Sequence, residues 1–79
     1  MVSNKLNILI LSQKMALMNK GENVKIRDIE ESIAKSCEVS RETIVSIKSG
    51  RVLPSLPVAL KLSKYFDVTV NDIFELGDE

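Results

Sequence analysis

The stretch from Ile33 to Ile47, IAKSCEVSRETIVSI, joins two expected helices through a short polar turn. Ser40 is suited to cap the second helix, because its side-chain oxygen can accept a hydrogen bond from an amide two or three residues later. Ile44 and Ile47 then fall on one inward face. Ala34 provides a small side chain where the two helices would touch. The stretch predicts a tight corner, beyond which the start of the second helix projects.

Capping residues, glycines and hydrophobic periodicity divide the rest of the chain into helices. The predicted helices cover 4–19, 27–36 and 40–49, a fourth capped by Ser55, and a fifth opened by Thr69. The fourth is expected to pack through Leu56, Ala59, Leu60, Leu62 and Phe66. Val24 to Ile26 is the only expected extended segment. The sequence predicts an all-α, five-helix single domain over residues 1–79.

The composition excludes several function classes. The 79-residue chain has no histidine, one cysteine, no metal-ligand cluster and no phosphate-binding glycine motif. It therefore has few of the side chains and motifs that catalysis uses. We expect no enzyme activity, metal or cofactor. No apolar run approaches the ~20 residues that cross a bilayer. Cys37 is expected in the core as an inert thiol, and the absence of a signal pattern favours a cytoplasmic protein.

The net charge is zero, but the charges are unevenly distributed. Residues 40–64 hold five basic side chains against the single acid Glu42, and from Tyr65 onward there are five acids and no base. This basic segment favours a polyanionic partner, although small proteins also show such fluctuations by chance.

The corner has the spacing of a helix-turn-helix, with a second helix narrow enough for the major groove of DNA. Its outward side carries Arg41, Glu42, Val45 and Ser46. Arginine can bind guanine, glutamate can accept from cytosine and valine can cover a thymine methyl. The alternative is a purely structural corner, which any all-α domain needs.

From Ile33 to Leu76 the chain resembles the Cro and lambda-repressor-like helix-turn-helix family, through VSRETI, the glycine of KSG, PSL, ALKLSKYFDV and DIF. The resemblance implies a helix-turn-helix at about 27–49 and a regulator, expected to be a repressor, that binds a palindromic operator as a homodimer. It places Arg41, Glu42, Val45 and Ser46 toward bases. It places Ser40, Thr43, Lys48, Ser49 and Arg51 near phosphates.

The chain departs from the family at several positions. Glu42 stands where glutamine is common, and Glu38 and Asp67 stand at turn glycines. A polar pair that usually touches phosphate is replaced by Ile29 and Glu30. We expect Lys25 or Arg27 to take over that contact.

Two apolar surfaces exceed what the core needs. The first helix has a core face, predicted to hold Leu6, Leu9, Ile10, Ala16 and Leu17, and a second face of Ile8, Leu11, Met15 and Met18. The second face is either ordinary burial or a surface for the connecting loop, a second protomer or a partner protein. Ile73, Phe74 and Leu76 form either a core plug or, as the family's pairing implies, a dimer interface.

Two functions therefore remain open. The favoured one is a sequence-specific DNA-binding regulator. The alternative is a protein-interaction module on the same fold, with weak or no DNA binding and a partner on the first helix.

Overall fold

A computed structural model describes residues 2–76. The chain forms an all-α fold with a small two-stranded sheet. The elements in chain order are β1 Val2–Asn4, α1 Leu6–Asn19, α2 Ile26–Cys37, α3 Arg41–Lys48, α4 Leu56–Phe66, α5 Val70–Ile73 and β2 Phe74–Leu76. The five predicted helices are confirmed, with ends shifted by a few residues.

Side-chain caps begin the helices that follow the corner. Ser40 Oγ accepts from the Thr43 amide at 3.2 Å at the start of α3. At the start of α5, Thr69 Oγ1 accepts from the Asp72 amide, and the Asp72 carboxylate accepts from the Thr69 amide at 2.9 Å. These contacts satisfy amides that have no partner within the helix. The starts of α3 and α5 are therefore specified locally.

The core lies where α1, α2, α3 and α4 meet, with α5 closing one end. The following side chains form one buried cluster: Leu6, Ile10, Ile29, Ile33, Ala34, Cys37, Ile44, Ile47, Leu62 and Ile73. The expected inward faces of α2 and α3 are confirmed. Ile73 is fully buried in this cluster, which corrects its assignment to a surface between protomers.

The extended chain lies elsewhere than expected. Val24 precedes α2 without forming a strand, and Ile26 begins that helix. Instead β1 pairs antiparallel with β2, with Asn4 opposite Phe74. Each strand has three residues, which is too short for an alternating pattern to be recognised, and the partners lie at opposite ends of the chain.

Some predicted core positions of α1 and α4 are wrong. Ala16 is exposed, and Leu56 and Leu60 are 69% and 54% exposed. Helix α4 packs through Ala59 and Leu62 instead, three residues apart on one face. The apolar composition of α4 exceeds what its single buried face can hold, so periodicity alone did not identify that face.

Candidate nucleic-acid interface

The corner between α2 and α3 depends on one left-handed residue. Glu38 has φ 59° and ψ 39°, and the Val39 amide donates to the Ala34 carbonyl at 3.0 Å. This closes the end of α2 in the way a glycine usually does. Helix α3 begins three residues later, at Arg41. The backbone therefore makes the expected turn despite the glutamate.

Helix α3 is divided into a buried and an accessible side. Ile44 and Ile47 are buried, whereas Glu42 and Ser49 are exposed and Val45 and Ser46 are partly exposed. Glu42, Val45 and Ser49 share one face at helical spacing, so they are presented together. This side of α3 is therefore accessible, while Arg41 at its start is only partly exposed.

A buried carboxylate ties α3 to α2. Glu30 is only 4% exposed, and its Oε1 lies 3.2 Å from Arg41 Nη1. Its Oε2 accepts from Lys48 Nζ at 2.6 Å. Arg41 and Lys48, predicted separately as base-reading and phosphate-binding residues, thus share one partner, which sequence reasoning missed. The available signal was the spacing of Glu30 with Ala34 and Cys37, which puts the carboxylate on the buried face of α2.

Four other predicted phosphate ligands, Ser40, Thr43, Ser49 and Arg51, lie at the two ends of α3. Arg51 Nε donates to Ser49 Oγ at 3.1 Å, just beyond the end of α3, where Gly50 is left-handed with φ 82°. At the start of α3, Ser40 and Thr43 hydroxyls are 3.0 Å apart. The structure places these hydroxyls at the start of α3 and Arg51 beyond its end.

Lys25 and Arg27 lie at the start of α2. Lys25 is exposed, and Arg27 Nε lies 3.2 Å from Glu31 Oε1 in an exposed pair one turn apart. Such a surface pair is weak and exchanges readily with other partners. Both cations are accessible.

The basic segment of the sequence divides in space. An open cavity of about 390 Å³ lies between α2 and α4, lined by Ser36 of α2 and by Lys61, Lys64 and Tyr65 of α4. Lys61 Nζ also lies 3.5 Å from a Glu38 carboxylate oxygen. These two lysines therefore lie on the surface formed by α2 and α4 and not on α3.

Cys37 is buried in the core, as predicted. Burial raises the pKa of its thiol above the ordinary value of 9.0, and the nearby Lys61 charge only partly offsets this. The thiol therefore stays protonated near neutral pH and is a poor nucleophile.

Comparison with known proteins identifies the family. A family model described as helix-turn-helix matches residues 28–73, more than half of the chain. The chain belongs to the Cro and lambda-repressor-like helix-turn-helix family. Its matched segment begins in α2, contains the corner and α3, and ends with α5.

Relatives within the family include archaeal and bacterial proteins. An uncharacterized HTH-type transcriptional regulator of Methanocaldococcus jannaschii is 44% identical over 50 residues, covering 63% of this chain and 76% of the relative. A regulator of the same description from Archaeoglobus fulgidus is 38% identical over 60 residues, covering 76% of this chain and 84% of the relative. One from Bacillus subtilis is 36% identical over 50 residues, covering 63% and 76%.

Over residues 2–76, no helix is long and apolar enough to span a membrane. Within the same range, no group of three or more His, Cys, Asp and Glu side chains is placed to hold a metal ion.

Two apolar surfaces remain exposed. The second face of α1 carries Ile8, Leu11, Met15 and Met18, each between 45% and 65% exposed. This face therefore lies outside the core, and the alternative that it is simply buried is wrong. A shallow groove of about 300 Å³ is lined by Leu53, Pro54, Leu56, Ala59, Val70 and Phe74.

Proposed function

We propose that this protein is a sequence-specific DNA-binding transcription regulator. The observation that carries the proposal is α3 itself. It is a capped helix whose outward side presents Glu42, Val45 and Ser46 next to Arg41, in a chain of the helix-turn-helix family. The names of the relatives as transcriptional regulators support the same function.

In the proposed complex, α3 lies in the major groove. Arg41 donates to guanine O6 and N7, Glu42 accepts from a cytosine amino group, and Val45 contacts a thymine methyl. Ser46 can donate to or accept from a base edge. Arg41 uses one nitrogen on Glu30, which leaves guanidinium donors for a base.

Phosphate contacts would hold the helix in register. Arg51, with Ser49, is suited to the backbone beside the end of α3, and Ser40 and Thr43 to the backbone beside its start. Lys25 and Arg27 would meet phosphate from the start of α2. Lys48 was predicted to do so, but its ammonium is bound to Glu30.

We further propose that the protein acts as a homodimer that represses by occupying a palindromic promoter site. The apolar groove, which includes Phe74, supplies with the 84% exposed Leu76 a surface that a second copy could cover. Two copies reading one face of a duplex need recognition helices about 34 Å apart. Ile73 supports this surface from the core and does not contact the partner.

The test is a salt titration of binding to random and to selected duplexes. Arg51→Ala should weaken binding to every sequence and reduce the salt slope by about one unit, because one phosphate contact is lost. Arg41→Ala should cost roughly 1–3 kcal/mol on a selected duplex and relax the choice at one base pair. Lys20→Ala, an exposed lysine at the end of α1, is the matched control and should change neither quantity.

The exposed second face of α1 supports one other candidate, a protein-interaction module on the same fold. A wild-type protein without salt-dependent DNA affinity would reject the DNA-binding proposal. In that case Met15→Lys should abolish binding of a partner protein, because a charge on this face opposes apolar contact.

A further inference from the structure

The buried contact of Glu30 with two cations of α3 is unlike an ordinary surface ion pair. The Glu30 side chain is 5% exposed, and those of Arg41 and Lys48 are 30% and 21% exposed. A carboxylate so far from water must be neutralised by close partners, and here each carboxylate oxygen has one. The position of both cations is therefore constrained by Glu30.

The two contacts have different consequences for a polyanion. Arg41 binds Glu30 through Nη1 and keeps other donors, arranged on a rigid planar group. Lys48 presents a compact ammonium with three donors, but its charge is paired with Glu30 Oε2 at 2.6 Å and its side chain is only 21% exposed. Glu30 thus orients the Arg41 guanidinium, and it neutralises the charge of Lys48.

We propose that Glu30 is a specificity-determining positioning residue of the DNA-binding surface. It holds Arg41 in the orientation needed to bind one guanine, and it withdraws Lys48 from phosphates. A fixed guanidinium loses less conformational entropy when it binds a base, which favours the correct sequence. Removal of one phosphate-binding cation lowers affinity for all sequences equally. This inference rests on the proposed DNA-binding function.

The experiment compares wild type with Glu30→Gln, which keeps the shape of the side chain and removes its charge. Binding is measured by salt titration on random duplex and on duplexes selected by wild type from a random pool. Glu30→Gln should bind random duplex roughly tenfold tighter at ~0.1 M salt and steepen the slope by about one unit, because Lys48 is released. The preference for selected over random duplex should fall by about tenfold, since Arg41 is no longer fixed.

The matched control is Glu75→Gln. Glu75 pairs with Lys5 at 3.4 Å beside the two-stranded sheet, so this substitution removes the same charge without altering the contacts of α3. It should leave the slope and the preference unchanged. Equal changes in Glu30→Gln and Glu75→Gln would overturn the proposal, as would a Glu30→Gln protein that binds like wild type.

A second variant keeps the test decisive if Glu30→Gln does not fold. Lys48→Gln leaves Glu30 paired with Arg41 and should leave the salt slope within about 0.3 unit of wild type, because the Lys48 charge is already paired with Glu30. A decrease of the salt slope by about one unit would overturn the proposal that Glu30 withdraws Lys48 from phosphates.

A readout without DNA separates this inference from the proposed function. In NMR spectra of the free protein, the guanidinium of Arg41 should show restricted rotation in wild type and fast rotation in Glu30→Gln. Free rotation in wild type would overturn the inference even if the protein binds DNA. Restricted rotation without any DNA affinity would reject the proposed function and leave the positioning contact in place.

Discussion

Glu42 is the residue whose substitution should change DNA affinity in opposite directions on selected and on random duplex. It therefore distinguishes base recognition from general attraction to DNA. It is exposed on α3, and its charge is repelled by phosphates unless a cytosine amino group receives it. In a DNA-binding protein the same side chain therefore weakens non-specific affinity and improves selectivity.

Glu42→Gln should bind random duplex more tightly than wild type, because one repulsive charge is removed. On a selected duplex in which Glu42 contacts cytosine, it should bind more weakly. Competition between the two duplexes measures both effects. A uniform increase on every sequence would show that Glu42 contributes no base recognition.

Glu38 carries backbone strain at the corner between α2 and α3. A left-handed conformation costs a residue with a Cβ roughly 1–2 kcal/mol, and aspartate tolerates it better than glutamate. Asp67, with φ 56°, is the equivalent residue at the end of α4.

Glu38→Gly should raise the free energy of unfolding by about 1 kcal/mol, because relief of strain exceeds the added entropy of the unfolded glycine. Loss of the contact with Lys61 matters little, since Glu38 is 80% exposed in that pair. Asp67→Gly is the matched comparison and should give a smaller gain. Denaturant unfolding measures both, and a destabilised Glu38→Gly protein would contradict the strain argument.

At the scale of elements, Asn4 connects parts of the chain that are distant in sequence. Its Nδ2 donates to the Ile47 carbonyl at 3.1 Å, and its Oδ1 accepts from the Leu6 amide at 3.2 Å. The Lys5 amide also donates to the Ile73 carbonyl at 2.8 Å. The start of α1 is thus attached to the end of α3 and to α5.

Asn4→Ala should lower the free energy of unfolding by about 1–2 kcal/mol, because two partly buried hydrogen bonds are lost. Asn7→Ala, at an exposed position of α1, is the matched control and should have little effect. Thermal or denaturant unfolding distinguishes the two. Equal effects would mean that the Asn4 contacts contribute nothing measurable.

The cap of α5 makes stability depend on pH. A hydrogen bond from the backbone amide of Thr69 and a smaller contribution from the Thr69 side chain lower the pKa of Asp72 below the ordinary value of 3.8. Because the pKa is lower in the folded than in the unfolded protein, this contribution is present above pH 3.8 and is lost as pH falls through the folded pKa.

Asp72→Asn should therefore reduce the loss of stability between neutral pH and roughly pH 3, because the titrating group is removed. Urea unfolding at both pH values measures the difference. An unchanged acid dependence in Asp72→Asn would contradict the assignment.

At the scale of the whole molecule, the exposed groove of Leu53, Leu56 and Phe74 and the second face of α1 compete as sites of association. The groove adjoins the sheet that joins the chain ends, through Phe74. The proposed homodimer uses the groove.

Sedimentation should detect a dimer at about 100 μM, since covering the groove stabilises the associated state by mass action. Leu56→Glu should give a monomer with little change in protomer folding, because Leu56 is 69% exposed. Leu11→Glu, on α1, is the matched control and should remain dimeric. A wild-type monomer at this concentration, or a dimer disrupted by Leu11→Glu alone, would exclude the groove as the dimer interface.

The sequence by itself determined the helices, the corner and the outward side of α3. These features depend on local signals, since Ser40 and Thr69 cap the helices they precede, and Ile44 and Ile47 define a face by their spacing. The family followed from the motifs between Ile33 and Leu76.

Only the tertiary structure decided which side chains share partners. Glu30 meets Lys48 across eighteen positions, Asn4 meets Ile47 across forty-three, and β1 meets β2 across almost the whole chain. Such contacts leave no periodic pattern, because the packing of the helices brings the groups together. For the same reason packing decided that Ile73 fills the core while Leu56 stays exposed, although both are apolar residues within short amphipathic segments.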